Sequence, residues 1–206
     1  MKKIGLLFLI VLFGVMVGCI TKADVSPHEE VERKAEEVLG VNIYIPEHPK
    51  YVIGTSAIGY GRDLSNIEEL KRGKPNSISV EYFIETDDRM DFTEEMIAEV
   101  EEANLIEFIH NEQFDAGSII SLSVVLNLNK EPMYFKEIEI EGKTVNYEHV
   151  VADESVYESL DLDPNDVAMF FVTFDDFAYD IIYRLKDGNT FDDAKEFVAS
   201  MIKELN

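Results

Sequence analysis

Strict alternation of apolar and polar residues in three separate runs is the feature that most limits how this chain can fold. In residues 77–86, 119–128 and 177–185, almost every second side chain is apolar. Successive side chains of a β-strand point to opposite faces of the sheet, so each run predicts a strand with one buried face. The predicted inward positions are Ile78, Val80, Tyr82, Ile84, Ile120, Leu122, Val124, Leu126, Leu128, Phe177, Tyr179, Ile181, Tyr183 and Leu185.

Further runs of β-branched and aromatic residues predict the remaining strands. They cover residues 41–45, 51–60, 134–140, 144–151 and 167–174. The run at 167–174 is apolar on both faces, which predicts a central strand covered on both sides. Gly142-Lys143 is interpreted as a hairpin turn. Residues 61–76 are rich in turn-forming residues, with a possible short helix at 67–71, and residues 105–110 remain ambiguous.

Three segments have the 3.6-residue periodicity and the capping residues of helices. The first begins at Ser26-Pro27 with Glu29 at the capping-box position and ends at Gly40. The second follows Thr93. The last follows Thr190 and Asp193, and its apolar positions are Ala194, Phe197, Val198, Met201, Ile202 and Leu205. The sum predicts an α+β fold, in which an antiparallel sheet has helices packed on one face, including an amphipathic C-terminal helix.

The N-terminus has the layout of an export signal. Lys2 and Lys3 precede an apolar run at residues 4–17, which is shorter than the roughly twenty residues of a spanning helix. The run ends in Met16-Val17-Gly18-Cys19, which resembles the lipobox of prokaryotic lipoproteins, with methionine where leucine is most usual. The resemblance implies cleavage before Cys19 and a diacylglyceryl thioether on its sulfur. The alternative is an uncleaved anchor helix, and either interpretation places residues 20–206 outside the cytoplasm.

Charge and domain organisation fit an anchored, exported protein. We interpret residues 1–18 as a signal peptide, 19–40 as the lipidated cysteine, tether and first helix, and 41–206 as one α+β extracytoplasmic domain. The net charge is −24, and loss of Lys2 and Lys3 brings it to about −26. Such a surface repels phosphate backbones, so nucleic-acid binding is not expected. With Cys19 as the only cysteine, no intrachain disulfide can form.

A second resemblance concerns the exported domain. Residues 45–51, Ile-Pro-Glu-His-Pro-Lys-Tyr, resemble the proline-paired opening of an uncharacterised domain of Gram-positive cell-surface lipoproteins. In that family a hairpin and a final helix close the domain, similar to residues 167–205 here. The chain lacks tryptophan, and Asp175-Asp176 lacks the glycine often found at that turn. The resemblance implies no particular activity.

A metal site is the first candidate in an acidic exported protein. Asp161, Asp163 and Asn165 occupy positions one, three and five of a possible calcium loop. Position six is Asp166 and position twelve is Val172, whereas an EF-hand requires glycine and glutamate there. Pro164 instead suits a β-turn. His28, His48, His110 and His149 are scattered without metal-ligand spacing, so we predict no metal site, although ligands brought together by the fold remain open.

Catalytic patterns are equally absent from the sequence. There is no Gly-x-Ser-x-Gly elbow, and Cys19 is assigned to the anchor. With 42 acidic residues, no carboxylate pair can be singled out for glycoside hydrolysis. The aromatic stripe of Phe177, Tyr179 and Tyr183 can line a pocket, but we interpret it as core that receives the last helix. We therefore predict no catalytic residue and no cofactor.

The expected function is that of a non-catalytic binding domain, held on the extracytoplasmic face of the cell membrane by a lipid on Cys19. Its partner is expected to be an envelope protein or another envelope component. One alternative is a lipoprotein that binds a small molecule or a cation for a transporter or sensor. The other is a hydrolase whose site is assembled only in the fold.

Overall fold

The computed structural model confirms an α+β fold built on one antiparallel sheet. It describes residues 25–62, 72–87, 89, 93–112, 114, 117–126, 136–151 and 166–206. The eight strands lie in the order β3-β1-β2-β4-β8-β7-β6-β5. Their bounds are β1 Val52–Arg62, β2 Arg72–Phe83, β3 Ile106–Asn111, β4 Ile120–Leu126, β5 Lys136–Ile140, β6 Lys143–Val150, β7 Val167–Thr173 and β8 Phe177–Arg184. The helices are α1 Pro27–Leu39, α2 Glu94–Asn104 and α3 Phe191–Leu205.

One face of the sheet carries the core. Across the central strands, Val80 pairs with Leu122, Leu122 with Ile181, and Ile181 with Phe170, and all four are fully buried. Helix α1 packs over β1, β2 and β3, whereas α3 packs over β5 and β7. The predicted helix-covered face is therefore confirmed for the described residues of β2, β4 and β8.

The caps of α1 and α3 form as predicted. Ser26 and Glu29 close a capping box at the start of α1, and Gly40 ends that helix at a φ of 72°, which glycine adopts without strain. Thr190 and Asp193 form the same box on α3. The predicted apolar positions of α3 face the core, and only Leu205 among them is partly exposed.

Helix α2 differs from the other two helices because none of its residues is buried. Thr93 caps it, and Met96 is 44% exposed. The helix packs beside the edge strand β3, where the Glu101 carboxylate accepts a hydrogen bond from the Phe108 backbone N–H. The residues after α2, whose conformation the sequence left ambiguous, thus form an edge strand. A carboxylate of α2 satisfies one backbone N–H of that strand.

The prediction of a strand at residues 41–45 is wrong. The chain there is extended but lies on the helix-covered face of the sheet, between α1 and α3, and we call residues 41–50 the bridging segment. Its alternating apolar residues Val41, Ile43 and Ile45 are buried by packing on the strands rather than by pairing with them. Apolar residues at every second position indicate that one side of an extended segment is buried, but they do not require the segment to be hydrogen-bonded to a neighbouring strand.

Three tyrosines of the sheet hold the bridging segment in place. Tyr179 Oη accepts from the Tyr44 backbone N–H at 2.9 Å and donates to its carbonyl at 3.0 Å. Tyr82 Oη donates to the Pro46 carbonyl at 2.7 Å, and Tyr183 Oη lies 3.1 Å from His48 Nε2. These contacts satisfy buried backbone groups that have no strand partner.

Two strand predictions need correction. In β7, residues 168, 170 and 172 are buried while their neighbours are half-buried, so the strand has one fully buried face rather than two. The hairpin between β5 and β6 turns at Glu141-Gly142, one residue earlier than predicted, with φ of 51° and 76°. Positive φ at both turn residues is the requirement of a type I′ turn, which matches strand twist.

Several predictions concern residues outside the described ranges. They are the signal peptide, Cys19, the possible helix at 67–71, Leu128 and the calcium-loop positions 161–165. Residues 72–76, predicted as part of a turn-rich stretch, belong to β2. Over the described ranges, no helix combines the length and the apolar character needed to cross a bilayer.

Candidate functional site

The candidate site is a cleft around His48, where the bridging segment meets α1, α3 and the edge of the sheet. It has two adjoining lobes that share Glu47 and His48. The outer lobe, of about 350 Å³, is also lined by Pro27, His28, Tyr51, Val52, Ile53, Glu85, His110 and Glu112. The inner lobe, of about 190 Å³, is also lined by Pro49, Lys50, Tyr183, Asn189, Asp193, Glu196, Phe197 and Ser200. We call the two lobes together the His48 cleft.

His48 is held by three contacts at the junction of the lobes. Its Nδ1 accepts from the Lys50 backbone N–H at 3.2 Å, so Nε2 carries the proton and faces Tyr183 Oη at 3.1 Å. Its ring stacks on Tyr51, with centroids 4.4 Å apart. Burial lowers the pKa of His48, Lys50 adds to this shift, and Asp193 opposes it. The ring is therefore neutral at pH 7.

His28 projects from the first turn of α1 into the outer lobe. Its Nε2 is buried without a hydrogen-bond partner among the described residues. Burial lowers the pKa of His28 below its usual value, although the Glu47 charge opposes the shift. The Nε2 atom of the neutral ring is thus left without a hydrogen-bond partner among those residues.

Asn189 lies at the base of the inner lobe, just before α3. Its side chain is 7% exposed, and its Nδ2 donates to Tyr51 Oη. Its Oδ1 is buried without a hydrogen-bond partner among the described residues. An unpaired buried acceptor costs about 1–3 kcal/mol, which a ligand that donates to it would recover.

The charges that line the cleft are mostly negative. Glu47, Glu85 and Glu112 border the outer lobe, whose lining contains no lysine or arginine. Glu112 forms an ion pair with Arg89 at 3.2 Å, where both side chains are nearly half-exposed. In the inner lobe, Asp193 and Glu196 outnumber Lys50. The cleft therefore favours a positively charged ligand.

Among the described residues, the cleft contains neither a metal-ligand set nor a serine–histidine pair. Although three histidines line the outer lobe, no set of three or more His, Cys, Asp or Glu side chains in the described ranges is placed to hold a metal ion. Ser200 is the one serine that borders the cleft, and its Oγ donates to the Phe197 carbonyl at 2.7 Å. His48 is hydrogen-bonded to a tyrosine and a backbone amide instead, so no described serine–histidine pair is formed here.

The sequence reasoning missed this grouping of histidines. His28, His48 and His110 come from α1, the bridging segment and β3, and all three line the outer lobe. His149 lies elsewhere on β6, stacked on Phe191 at 5.1 Å. The only sequence signal was the unusual Pro-Glu-His-Pro stretch, which marks an irregular segment but does not show what lies opposite it.

The aromatic stripe of β8 has two roles. Phe177 and Tyr179 belong to the core, as predicted, and their rings meet edge to face at 5.5 Å. Tyr183 belongs to the core and also borders the inner lobe, where Phe197 of α3 lies 6.0 Å away. Tyr183 thus packs in the core and lines the cleft at the same time.

The second face of the sheet is a separate candidate surface. Val125, Met169, Phe171 and Ile182 point to this face and are half-buried. At the end of β6, Val150 and Val151 are 41% and 67% exposed. Apolar side chains grouped on one face of a sheet in this way can form a protein-binding surface.

Comparison with protein-family models, with curated proteins and with solved structures finds no match to this chain. The two resemblances noted in the sequence therefore remain predictions, and the functional argument depends on the geometry of the cleft.

Proposed function

We propose that this protein is a lipoprotein, anchored through Cys19 on the extracytoplasmic face of the cell membrane, whose domain binds a small cationic ligand. The observation that carries the proposal is the outer lobe of the cleft, where three glutamates and three histidines meet without a lysine or arginine. A concave site with a few convergent polar groups is the usual form of a small-ligand site. Its ligand would be passed to a transporter or a sensor.

The hydrogen bonds of Asp193 and the protonation state of Tyr183 favour binding without chemical change. The carboxylate of Asp193 accepts from the Thr190 backbone and hydroxyl at 2.7 Å, which lowers the pKa of Asp193 and keeps it ionised. Burial raises the pKa of Tyr183, which keeps its hydroxyl protonated. Neither group is free to act as a general base near pH 7.

A ligand that binds only the native state raises the melting temperature, so thermal unfolding tests the binding proposal directly. We expect small organic cations to raise Tm of the mature protein, and neutral molecules of equal size to leave it unchanged. A panel in which no cation raises Tm would contradict the proposal.

The second candidate function is binding of an envelope protein through Val150, Val151 and the half-buried residues of the second face. It is favoured if the membrane-extracted protein instead retains an envelope protein.

Replacing Cys19 with serine is expected to move the protein from the membrane fraction to the soluble extracytoplasmic fraction or to leave its signal uncleaved. Serine cannot form the thioether, and without acyl chains the acidic surface is repelled by anionic lipid. Fractionation and the intact mass of the extracted protein would show the change. Met16→Leu is the matched control, because it restores the usual lipobox residue and should leave anchoring intact. Equal membrane retention of C19S and the parent, with masses that differ only by the sulfur-for-oxygen exchange, would instead favour an uncleaved anchor helix.

A further inference from the structure

We propose that the His48 cleft binds a primary ammonium group that is presented at the membrane surface. This proposal deepens the cation-binding function above and rests on it and on the anchor at Cys19. It names the chemical class of the ligand and the side from which the ligand approaches.

Two buried polar atoms of the cleft lack partners among the described residues, and the Asn189 oxygen among them is an acceptor. His28 Nε2 in the outer lobe and Asn189 Oδ1 in the inner lobe are both buried without a partner among the described residues. Asn189 is more than nine-tenths buried, so water reaches it poorly. A primary ammonium carries three N–H donors and no acceptor, which complements unpaired acceptors and carboxylates together. A quaternary ammonium has the charge but no N–H donor.

The size and walls of the cleft suit an organic ammonium better than a bare ion. The inner lobe, at about 190 Å³, has the volume of about six water molecules. Tyr183 and Phe197 border it, and the stacked rings of His48 and Tyr51 border the outer lobe. Aromatic faces attract alkylammonium groups, whereas metal ions require a set of donors that the described residues do not form.

The position of the anchor places the outer lobe near the lipid. Pro27 is the eighth residue after Cys19, and Pro27 and His28 both line the outer lobe. Even a fully extended chain of that length spans no more than about 29 Å. The outer lobe is therefore held within about 29 Å of the anchored cysteine, a reach that lets it contact the headgroup layer, where ammonium groups of lipid headgroups are the most concentrated.

The test uses the full acylated chain in vesicles of phosphatidylcholine, with ethanolamine as the soluble probe. We expect ethanolamine to raise Tm, and tetramethylammonium and ethylene glycol to have no effect, since one lacks N–H donors and the other lacks charge. Glu47 is exposed and borders both lobes, so Glu47→Gln should fold normally and weaken ethanolamine binding about five- to tenfold. Glu36→Gln, an equal charge change at an exposed position of α1 outside the cleft, should leave binding unchanged.

The source of the ammonium is tested by changing the lipid. Replacing half of the phosphatidylcholine with phosphatidylethanolamine should raise Tm without added ligand, and E47Q should lose that rise. If ethanolamine binds but the two lipids give the same Tm, presentation at the membrane is wrong. If tetramethylammonium stabilises as well as ethanolamine, or only a divalent cation stabilises, the primary-ammonium assignment is wrong while the cation-binding function stands. If no cation has an effect, both proposals fail.

Discussion

Replacing Phe170 with alanine is expected to lower the free energy of unfolding by about 3–5 kcal/mol, the cost of deleting a fully buried phenylalanine. The ring is fully buried in the middle of β7. It contacts Phe191 of α3 at a centroid distance of 5.7 Å and Tyr147 of β6 at 6.4 Å. The cavity left by alanine would lie between the sheet and α3, two rigid elements that cannot readily close it.

The neighbouring residue offers a matched control. Phe171 follows Phe170 in β7, points to the second face of the sheet and is half-buried. Phe171→Ala should therefore cost no more than about half as much, because the ring loses less apolar contact. Urea unfolding of both variants measures the difference. Equal losses would show that both faces are equally covered, as the sequence predicts for this strand, and would contradict the one-sided core.

The contrast in β7 shows what the sequence could and could not predict. Alternation, caps and the period of α3 are local signals, and they correctly predicted the strands of the core and the docking helix. In β7 every residue before Thr173 is apolar, so the sequence did not reveal which face would be more fully covered. That depends on where α1 and α3 lie, which is a tertiary property.

The bridging segment was misread for a related reason. Ile43 and Ile45 alternate like strand residues, and their burial on the sheet is correct. The hydrogen bonds go to Tyr179 and to the Glu32 carboxylate, which accepts from the Ile45 backbone N–H at 2.8 Å. No local sequence pattern predicts a hydrogen-bond partner that lies 135 residues away in the chain.

The cleft was less predictable than the fold. The fold brings His28, His48 and His110 to one cavity because α1, the bridging segment and β3 meet at the same end of the sheet. Asn189 lies between β8 and α3, and no sequence pattern singled it out, although it borders the inner lobe and is buried. Such sites are formed by packing between residues that are far apart in the chain, so composition and motif spacing could not predict them.

Alkaline pH is expected to unfold the protein through the tyrosines that hold the bridging segment. Burial raises the pKa of Tyr82 and Tyr179 far above the value of about 10 that an unfolded chain has, and raises that of Tyr183 in the same direction. Below pH 10 each phenol is protonated in both states, and the full stability is present. Above it the unfolded state releases protons that the folded state keeps, so stability falls as pH rises toward the folded pKa.

Tyr82, Tyr179 and Tyr183 are all fully buried, so the loss amounts to about 1.4 kcal/mol per pH unit each, or about 4 kcal/mol per pH unit together. Urea unfolding from about pH 9 to about pH 11.5 measures this slope, and tyrosinate absorbance should rise in the same transition as the loss of circular dichroism. Tyr179→Phe removes one of the three titrating groups and should reduce the slope by about a third. It should also cost about 1–3 kcal/mol at pH 7, because the Tyr44 backbone loses its partner. Smooth titration of all nine tyrosines near pH 10, with stability unchanged, would show that these hydroxyls are open to solvent and do not hold the segment.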